Sequence, residues 1–575
     1  MNENYNFRIE NTKDGYNILK LQTGNKSIYM GSKYNMKSEI DKFMNQFTDI
    51  TSENIFIICG FATGEHIKAL RRKYKKNLII IFEPINDLKE YIDTLDWVKN
   101  DKKIEILYND KMKLRSILNY YISVFNYNNL RISSYSRYNE IMGEEIKEFL
   151  EFIKTYCLSS LISHNTRIAR SNQWFKTLME NLEYMISGSP INTYENYFKD
   201  KPAIIVSAGP SLDKNIDYLK EIDDEFVLFT GYRNISGLIE KNIYPNFVGV
   251  VDSDDILYNL GKESIKYTEN IPLIFCEATN DLVVKNHRGK KIYFIINEML
   301  KKMAYTDIID IELGGSVAHI ITSIAIKMGC NPIIFVGQDL ACTEERSYSK
   351  LIKNQNGNWI ESELKSNDKL WVEAYGGGKV ETIQQFQSFI YEFEQIIDNN
   401  KNIEFINATE GGARIHGTIE LPLKEALKKY NKGKIEFKPN FEKPIDGMSD
   451  RCIDILDDIE KKCTIIKRQC EKAVKLISKL KLLNEQKNQN EINKIFNDLS
   501  KVDKIINENY DDVAIIESLL YPIISKIMGK QTQNIKYKEL IEENYTLYNG
   551  ILQEVDFALD YVKIIKQRLI NKYRA

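Results

Sequence analysis

Ser207, Gly209, Pro210 and Ser211 close an apolar run, Ala203-Ile-Ile-Val206, and open an amphipathic segment. A strand that passes through such a turn into a helix brings backbone amides, the positive end of a helix dipole and two hydroxyls to one point, which suits a phosphate. Gly209 supplies backbone freedom, and Pro210 fits a first helical turn, where its missing N–H costs nothing. Leu313-Gly-Gly-Ser-Val-Ala-His-Ile320 is a second Gly-rich helix entry, with Gly315 and Ser316 at the turn and His319 in the first helical turn, again an anion or substrate site. Val336-Gly-Gln-Asp-Leu340 ends a buried strand with Gln338 and Asp339, an amide and a carboxylate that can fix a sugar or base by directed hydrogen bonds. Asn407-Ala-Thr-Glu-Gly-Gly-Ala-Arg-Ile-His-Gly417 sets Asn407 and Glu410 around paired glycines, more polar groups than a structural turn needs.

These residues lie within 200–430, where strand and helix patterns alternate. The strands read as Ala203 to Ser207, Phe226 to Thr230, Phe247 to Asp252, Leu273 to Cys276, Lys291 to Ile296, Pro332 to Val336 and Glu404 to Asn407. The alternation predicts an α/β domain with a doubly wound, mostly parallel sheet, whose ligands bind beyond the carboxyl ends of the strands. Ser207, Thr230, Gly231, Asp252, Glu277, Gln338 and Asp339 fall at or just past those ends and are expected along one edge. Asp252-Ser-Asp-Asp255 also has the Asp-x-Asp form that holds Mg²⁺ or Mn²⁺ against a nucleoside diphosphate. A divalent ion at Asp252 and Asp254 would suit a UDP- or GDP-sugar.

The flanks differ in pattern. Residues 1–135 open with alternating segments that predict a small antiparallel sheet, Tyr16 to Gln22 and Ser27 to Met30 among them. Asn54 to Pro84 then reads as strand, Gly-rich turn, helix, strand. That is a Rossmann-like half-site in which Gly60 and Gly64 flank a ligand and Glu83 accepts from ribose hydroxyls, although the third glycine of a dinucleotide fingerprint is absent. A helical connector is expected over 136–195, with Asn165, Arg167, Arg170 and Asn172 either lining a cleft or forming a solvated face. The central domain spans 196–435. Beyond 445 the chain predicts an all-α bundle: Leu456, Ile459, Cys463, Ile466, Cys470, Ala473, Ile477 and Leu480 make a heptad stripe, Ile492 to Ile506 a second, and the polar stretch 484–490 a turn between them. Such a bundle is self-contained, a docking surface or a seam for a homo-oligomer.

A chain of 575 residues exceeds one core and suggests about three or four domains. Its 79 Lys and Arg balance 81 Asp and Glu, so net charge drives it toward neither nucleic acid nor a membrane surface. No apolar run approaches the ~20 residues that span a bilayer, and Met1 to Asn6 lacks the basic and apolar regions of a signal peptide. The expected location is the cytoplasm. Eight scattered cysteines show no metal-ligand spacing and read as core residues in a reducing compartment.

Five motifs taken in order carry a family resemblance: Ala208-Gly-Pro-Ser-Leu212, Asn242-Ile-Tyr-Pro-Asn-Phe-Val-Gly-Val-Val-Asp252, Gly314-Gly-Ser-Val-Ala-His319, Val336-Gly-Gln-Asp-Leu-Ala341 and Asn407-Ala-Thr-Glu-Gly-Gly-Ala413. Together they resemble the motility accessory factor (Maf) family, proteins implicated as flagellin glycosyltransferases. The resemblance implies a sialyltransferase-like Rossmannoid central domain flanked by a smaller α/β domain and a helical domain. It implies transfer of a nonulosonic acid, pseudaminic or legionaminic in type, from a CMP-activated donor to Ser or Thr hydroxyls of flagellin, as flagellar assembly requires. No metal or other cofactor is then needed, because a CMP leaving group carries a single phosphate. Gly209, Pro210 and Ser211 would face that phosphate, Thr230 and Asp252 the nucleoside, and Gln338 and Asp339 the sugar. Asp339, His319 and Glu410 are the candidates for stabilising an oxocarbenium-like transition state and taking the acceptor proton. Where the family often carries a Thr-His pair, this chain has Glu345-Arg-Ser-Tyr-Ser349, which leaves the base to Tyr348 or to a residue elsewhere. A pterin pyrophosphokinase, which resembles the same central domain, and a non-catalytic flagellin-binding assembly factor are the alternatives.

Overall fold

A computed structural model describes residues 6–23, 26–108, 111–304, 308–342, 346–351, 370–436, 444–483, 488–528 and 537–574. The chain forms two compact units, Met1–Thr166 and Arg167–Ala575. The 45-residue helix Gly143–Ser187 contributes its first part to one unit and its second part to the other.

In the first unit, β1 (Asn6–Asn11), β2 (Asn17–Thr23) and β3 (Lys26–Tyr29) form the expected antiparallel sheet. A separate parallel sheet has the order β6-β5-β4-β7, made of β4 (Ile55–Cys59), β5 (Leu78–Phe82), β6 (Ile104–Leu107) and β7 (Leu130–Ser134). The turn after β4 does not form the half-site its glycines suggest. Glu83 is fully buried and accepts from the amides of Phe61 at 2.8 Å and Ile85 at 2.9 Å and from the Tyr138 hydroxyl at 2.6 Å. The Tyr138 ring lies where a Cβ at Gly60 would have to go. The protein's own carboxylate and phenol therefore fill the place a ribose would take, and burial pushes the Glu83 carboxyl up to about 7.

Among the described residues, the second unit is built on a sheet of nine strands, all parallel: β8 (Ser189–Pro190), β9 (Ala203–Val206), β10 (Val227–Gly231), β11 (Phe247–Gly249), β12 (Leu273–Phe275), β13 (Lys291–Tyr293), β14 (Ile333–Val336), β17 (Phe405–Asn407) and β18 (Ile419–Glu420), with β15 (Leu370–Glu373) and β16 (Lys379–Thr382) forming a separate antiparallel pair. Their order is β18-β17-β14-β9-β10-β11-β12-β13-β8. From β9 the chain winds outward through β13, then returns to place β14 on the other side of β9. The strand order thus reverses between β9 and β14, and a crevice opens beyond the carboxyl ends at such a point.

Side-chain alternation along the strands serves two faces. Ala203 and Ile205 of β9 join one core with the helices Val317–Lys327 and Gln384–Asn399, whereas Ile204 and Val206 join the core on the opposite face. At the far end of that opposite face, Val248, Leu273, Phe275 and Tyr293 share a core with the C-terminal helices Met448–Leu480, Gln489–Tyr510, Glu517–Met528 and Tyr537–Tyr573. The expected heptad stripe from Leu456 to Leu480 is buried in that core. It is spent within the chain and does not form an open dimer seam. Of the expected turn at 484–490, residues 484–487 lie outside the described residues. Among the described residues no helix is long and apolar enough to cross a membrane.

Candidate functional site

A cavity of about 440 Å³ opens at the reversal point. That volume lies within the usual range for small-molecule sites. Its walls hold Ser207 and Gly209 after β9, Gly231 at the end of β10, Asp252 after β11, and Gln338 and Asp339 after β14. Gly315 and Ser316 join them from the start of the helix Val317–Lys327. Eight residues singled out in the sequence therefore share one cavity. Pro210, Ser211, Thr230, His319, Asn407 and Glu410 do not line it, and each has a structural reason to lie behind the wall.

Ser211 faces Asp339. Its amide donates to Asp339 Oδ1 at 3.1 Å and its hydroxyl to Oδ2 at 2.6 Å. The Gly209 amide donates to Gly337 O at 2.7 Å, and Pro210 has no N–H to give. The anion expected at the Gly-Pro-Ser turn is thus supplied from within the chain, by a carboxylate that is 2% exposed. Burial pushes the Asp339 carboxyl up to about 6, against the pull of the Ser211 hydroxyl and amide. Asp339 is a brace between β9 and β14 that takes up the Ser211 amide and hydroxyl, while Ser207 and Gly209 of the turn keep their place on the cavity wall. The helix that follows it, Leu212–Asn215, lasts a single turn before continuing as 3₁₀.

His319 is fully buried. Its Nε2–H donates to Phe389 O at 3.0 Å, which leaves Nδ1 to accept from the Ser316 amide at 3.1 Å, with the Ser316 hydroxyl 2.9 Å away. Burial holds the imidazole below its usual pKa, in the neutral form this arrangement needs. His319 caps its helix and ties Ser316 to Phe389, both cavity-lining residues; its ring reaches no reacting group. Glu410 accepts from Leu423 N at 3.0 Å and Asn215 Nδ2 at 3.2 Å, away from the cavity. Asn407 accepts from Thr409 N at 3.2 Å. Thr230 donates to Val206 O at 3.0 Å and is fully buried, so it joins two strand ends instead of meeting a nucleoside.

Asp252 is the carboxylate that remains exposed in the cavity. Its Oδ1 accepts from Asp254 N at 3.0 Å. Asp254 is turned away from it: one oxygen caps the helix Asp255–Gly261 and the other is held by Arg170 at 2.5 Å. Gln173 Nε2 donates to Ser253 O at 2.6 Å and Trp174 Nε1 to Ser253 Oγ at 2.9 Å. The Arg170 to Trp174 patch therefore anchors the loop that carries Asp252. Arg167 instead pairs with Glu517 at 3.0 Å and stacks on Tyr521, while Asn165 and Asn172 are exposed. Glu277 is buried and accepts from the amides of Ile296 and Asn297.

Comparisons with known proteins bear on this cavity. Residues 176–345, under a third of the chain, match a family described as 6-hydroxymethylpterin diphosphokinase MptE-like. A search of curated proteins gave no match. Among solved structures, the chain is similar to the Maf glycosyltransferase from Magnetospirillum magneticum AMB-1, with 14% identity, a TM-score of 0.52, and coverage of the whole chain and 95% of that protein. The chain has the fold of a Maf glycosyltransferase.

Within this Maf glycosyltransferase fold, the walls hold residues that the motifs did not flag. Arg233, Asn234, Phe386 and Phe389 line the cavity. Arg233 lies with its guanidinium 4.9 Å from the centroid of the Tyr348 ring, and Tyr348 itself lines the cavity. Asp213 fastens the segment that carries Tyr348, accepting from Arg346 Nη1 at 2.8 Å, Lys350 N at 2.9 Å and the Ser349 hydroxyl. Glu345 lies outside the described residues. Position in the sequence did hold a clue to Arg233 and Asn234: they stand two and three residues past the end of β10, where the ligand rule places contacts.

Proposed function

We propose that this protein is a glycosyltransferase that moves a nonulosonic acid from a CMP-activated donor to a Ser or Thr hydroxyl of flagellin, in the cytoplasm. The observation that carries this reading is the cavity at the strand reversal, walled by the motif residues, in a fold shared with a Maf glycosyltransferase.

The chemistry follows from the groups left open. The acceptor oxygen attacks the anomeric carbon as the bond from that carbon to the phosphate oxygen breaks, and CMP leaves with the electron pair. Asp252 takes the acceptor proton, since it is the cavity carboxylate not consumed by a structural contact on both oxygens. Charge develops on the sugar only in the transition state, so a carboxylate there affects rate more than ground-state binding. Asp339, Ser207 and Gln338 hold the floor: the Ser207 hydroxyl donates to Gln338 Oε1 across the reversal point, parallel to the Ser211–Asp339 link.

The match over 176–345 supports a second reading, an ATP-dependent pterin diphosphokinase using the same cavity. Thermal unfolding with CMP, UDP, GDP and ATP plus Mg²⁺ separates the two. A ligand at 100 times its dissociation constant adds about 2.7 kcal/mol of stability. The glycosyltransferase reading expects the largest shift with CMP; a larger one with ATP and Mg²⁺ supports the diphosphokinase.

A further inference from the structure

We infer that Arg233, beside the Tyr348 ring in the cavity at the strand reversal, forms the charged part of the subsite for the donor's phosphate. The inference rests on the nucleotide-donor reading and deepens it. The turn already holds the Asp339 carboxylate, and a phosphate placed beside it would set two anions together in a buried place.

Among the described residues that line the cavity, Arg233 is the only Lys or Arg. It is half-buried, lies over the Tyr348 ring, and pairs with no carboxylate among the described residues. A guanidinium stacked on an aromatic face keeps its fork free for a planar or tetrahedral anion, and phosphate is the anion it fits bidentately. The start of the helix Val317–Lys327 lines the same cavity but is already served from within the chain, the Gly315 amide donating to Glu392 Oε2 and the Ser316 amide to His319 Nδ1.

The neighbouring residue fixes the loop that carries Arg233. Asn234 is 4% exposed and lines the cavity. Its Nδ2 donates to Val206 O at 2.9 Å and to Thr230 Oγ1 at 3.1 Å, which fixes the amide's orientation. Its Oδ1 is left without a donor among the described residues. That oxygen is itself closed off from the cavity, so Asn234 positions Arg233 and does not meet the ligand.

Calorimetric titration of the full chain with CMP and with cytidine tests the assignment. The native protein is expected to bind CMP at least about tenfold more tightly than cytidine. Arg233→Met is expected to bring the two affinities within about twofold by weakening CMP alone, with Arg233→Lys recovering part of the difference. If the Met variant does not fold, as judged by its thermal unfolding, Arg233→Gln is read in its place. A neutral variant that keeps the native CMP-to-cytidine ratio overturns the inference. Should another phosphorylated nucleotide bind where CMP does not, the CMP reading falls while Arg233 is judged on that nucleotide against its nucleoside. Failure of CMP, UMP, AMP and ATP alike to bind the native protein overturns both.

Discussion

The hydroxyl of Ser211 donates to Asp339 Oδ2 at 2.6 Å, and Gly209 lies so close to the same oxygen that a Cβ there would overlap it. Ser211 follows β9 and Asp339 follows β14, so this contact closes the two strands over the point where the sheet reverses. Gly209 is required for the fit of the carboxylate against the turn. We expect Gly209→Ala to cost about 1–3 kcal/mol of stability by overpacking. The cost should shrink in part in an Asp339→Ser background, where the carboxylate overlap is gone and only that with the Gly337 carbonyl remains. Denaturant unfolding of the four proteins in this double-mutant cycle checks it; additive costs would mean that the two residues are not coupled.

Asp339 also gives a pH signature. Its carboxyl titrates at about 6 in the folded protein against an ordinary 3.8, so the folded state holds the proton more tightly than the unfolded chain. That contribution to stability is fully present below pH 3.8 and is lost as pH rises to about 6, an effect on the order of 3 kcal/mol. Asp339→Asn removes the titration. Stability against pH for the native protein minus that for the variant should fall across this window, and a flat difference would contradict the buried, braced carboxyl.

His319 is expected to matter for position. Glutamine at the same helical position can return the capping contact to Ser316, whereas alanine cannot. His319→Gln should keep transfer within a few-fold of native, and His319→Ala should lose about 1 kcal/mol of stability and more of the activity. Equal loss of transfer in both, with the folds intact and the pH–rate profile losing a limb, would return the histidine to the chemistry.

In the first unit, Tyr138→Phe strips the phenol that donates to Glu83 and accepts from the Ala62 amide at 2.9 Å. We expect a loss of about 1–3 kcal/mol and no change in CMP affinity. A CMP effect in that variant would show that the sealed turn takes part in donor binding.

Strands β9 to β14 and β17 were legible because each is a short apolar run bounded by glycine or polar residues, and the motifs fell at their ends as the parallel winding requires; the two-residue β8 and β18 and the pair β15–β16 carry no such run and were not read. Eight motif residues accordingly meet in one cavity. The pairings between distant ends were not legible. Nothing in Gly209-Pro-Ser211 says that Asp339, 128 positions on, occupies the turn, and nothing near Glu83 says that Tyr138 reaches it. In the first case a turn that reads as an anion site receives a carboxylate from the chain itself, and in the second a carboxylate read as a ribose acceptor is taken by the chain's own amides and a phenol. A motif shows that a turn favours negative charge; it does not show whose. Arg233 was missed because a lone arginine after a strand has no pattern, and its stacking on Tyr348 depends on a segment fixed by Asp213.

Intact-mass analysis of flagellin, co-expressed with this protein and a pathway that makes a CMP-nonulosonate, tests the central claim most directly. With the native protein the flagellin should gain whole multiples of the sugar's residue mass. With Asp252→Asn the gain should vanish, although CMP affinity stays within a few-fold of native. Unmodified flagellin beside the native protein, with the CMP-sugar shown to be present in the cells, would contradict the transferase reading, and full modification by the Asp252→Asn variant would contradict the role given to Asp252.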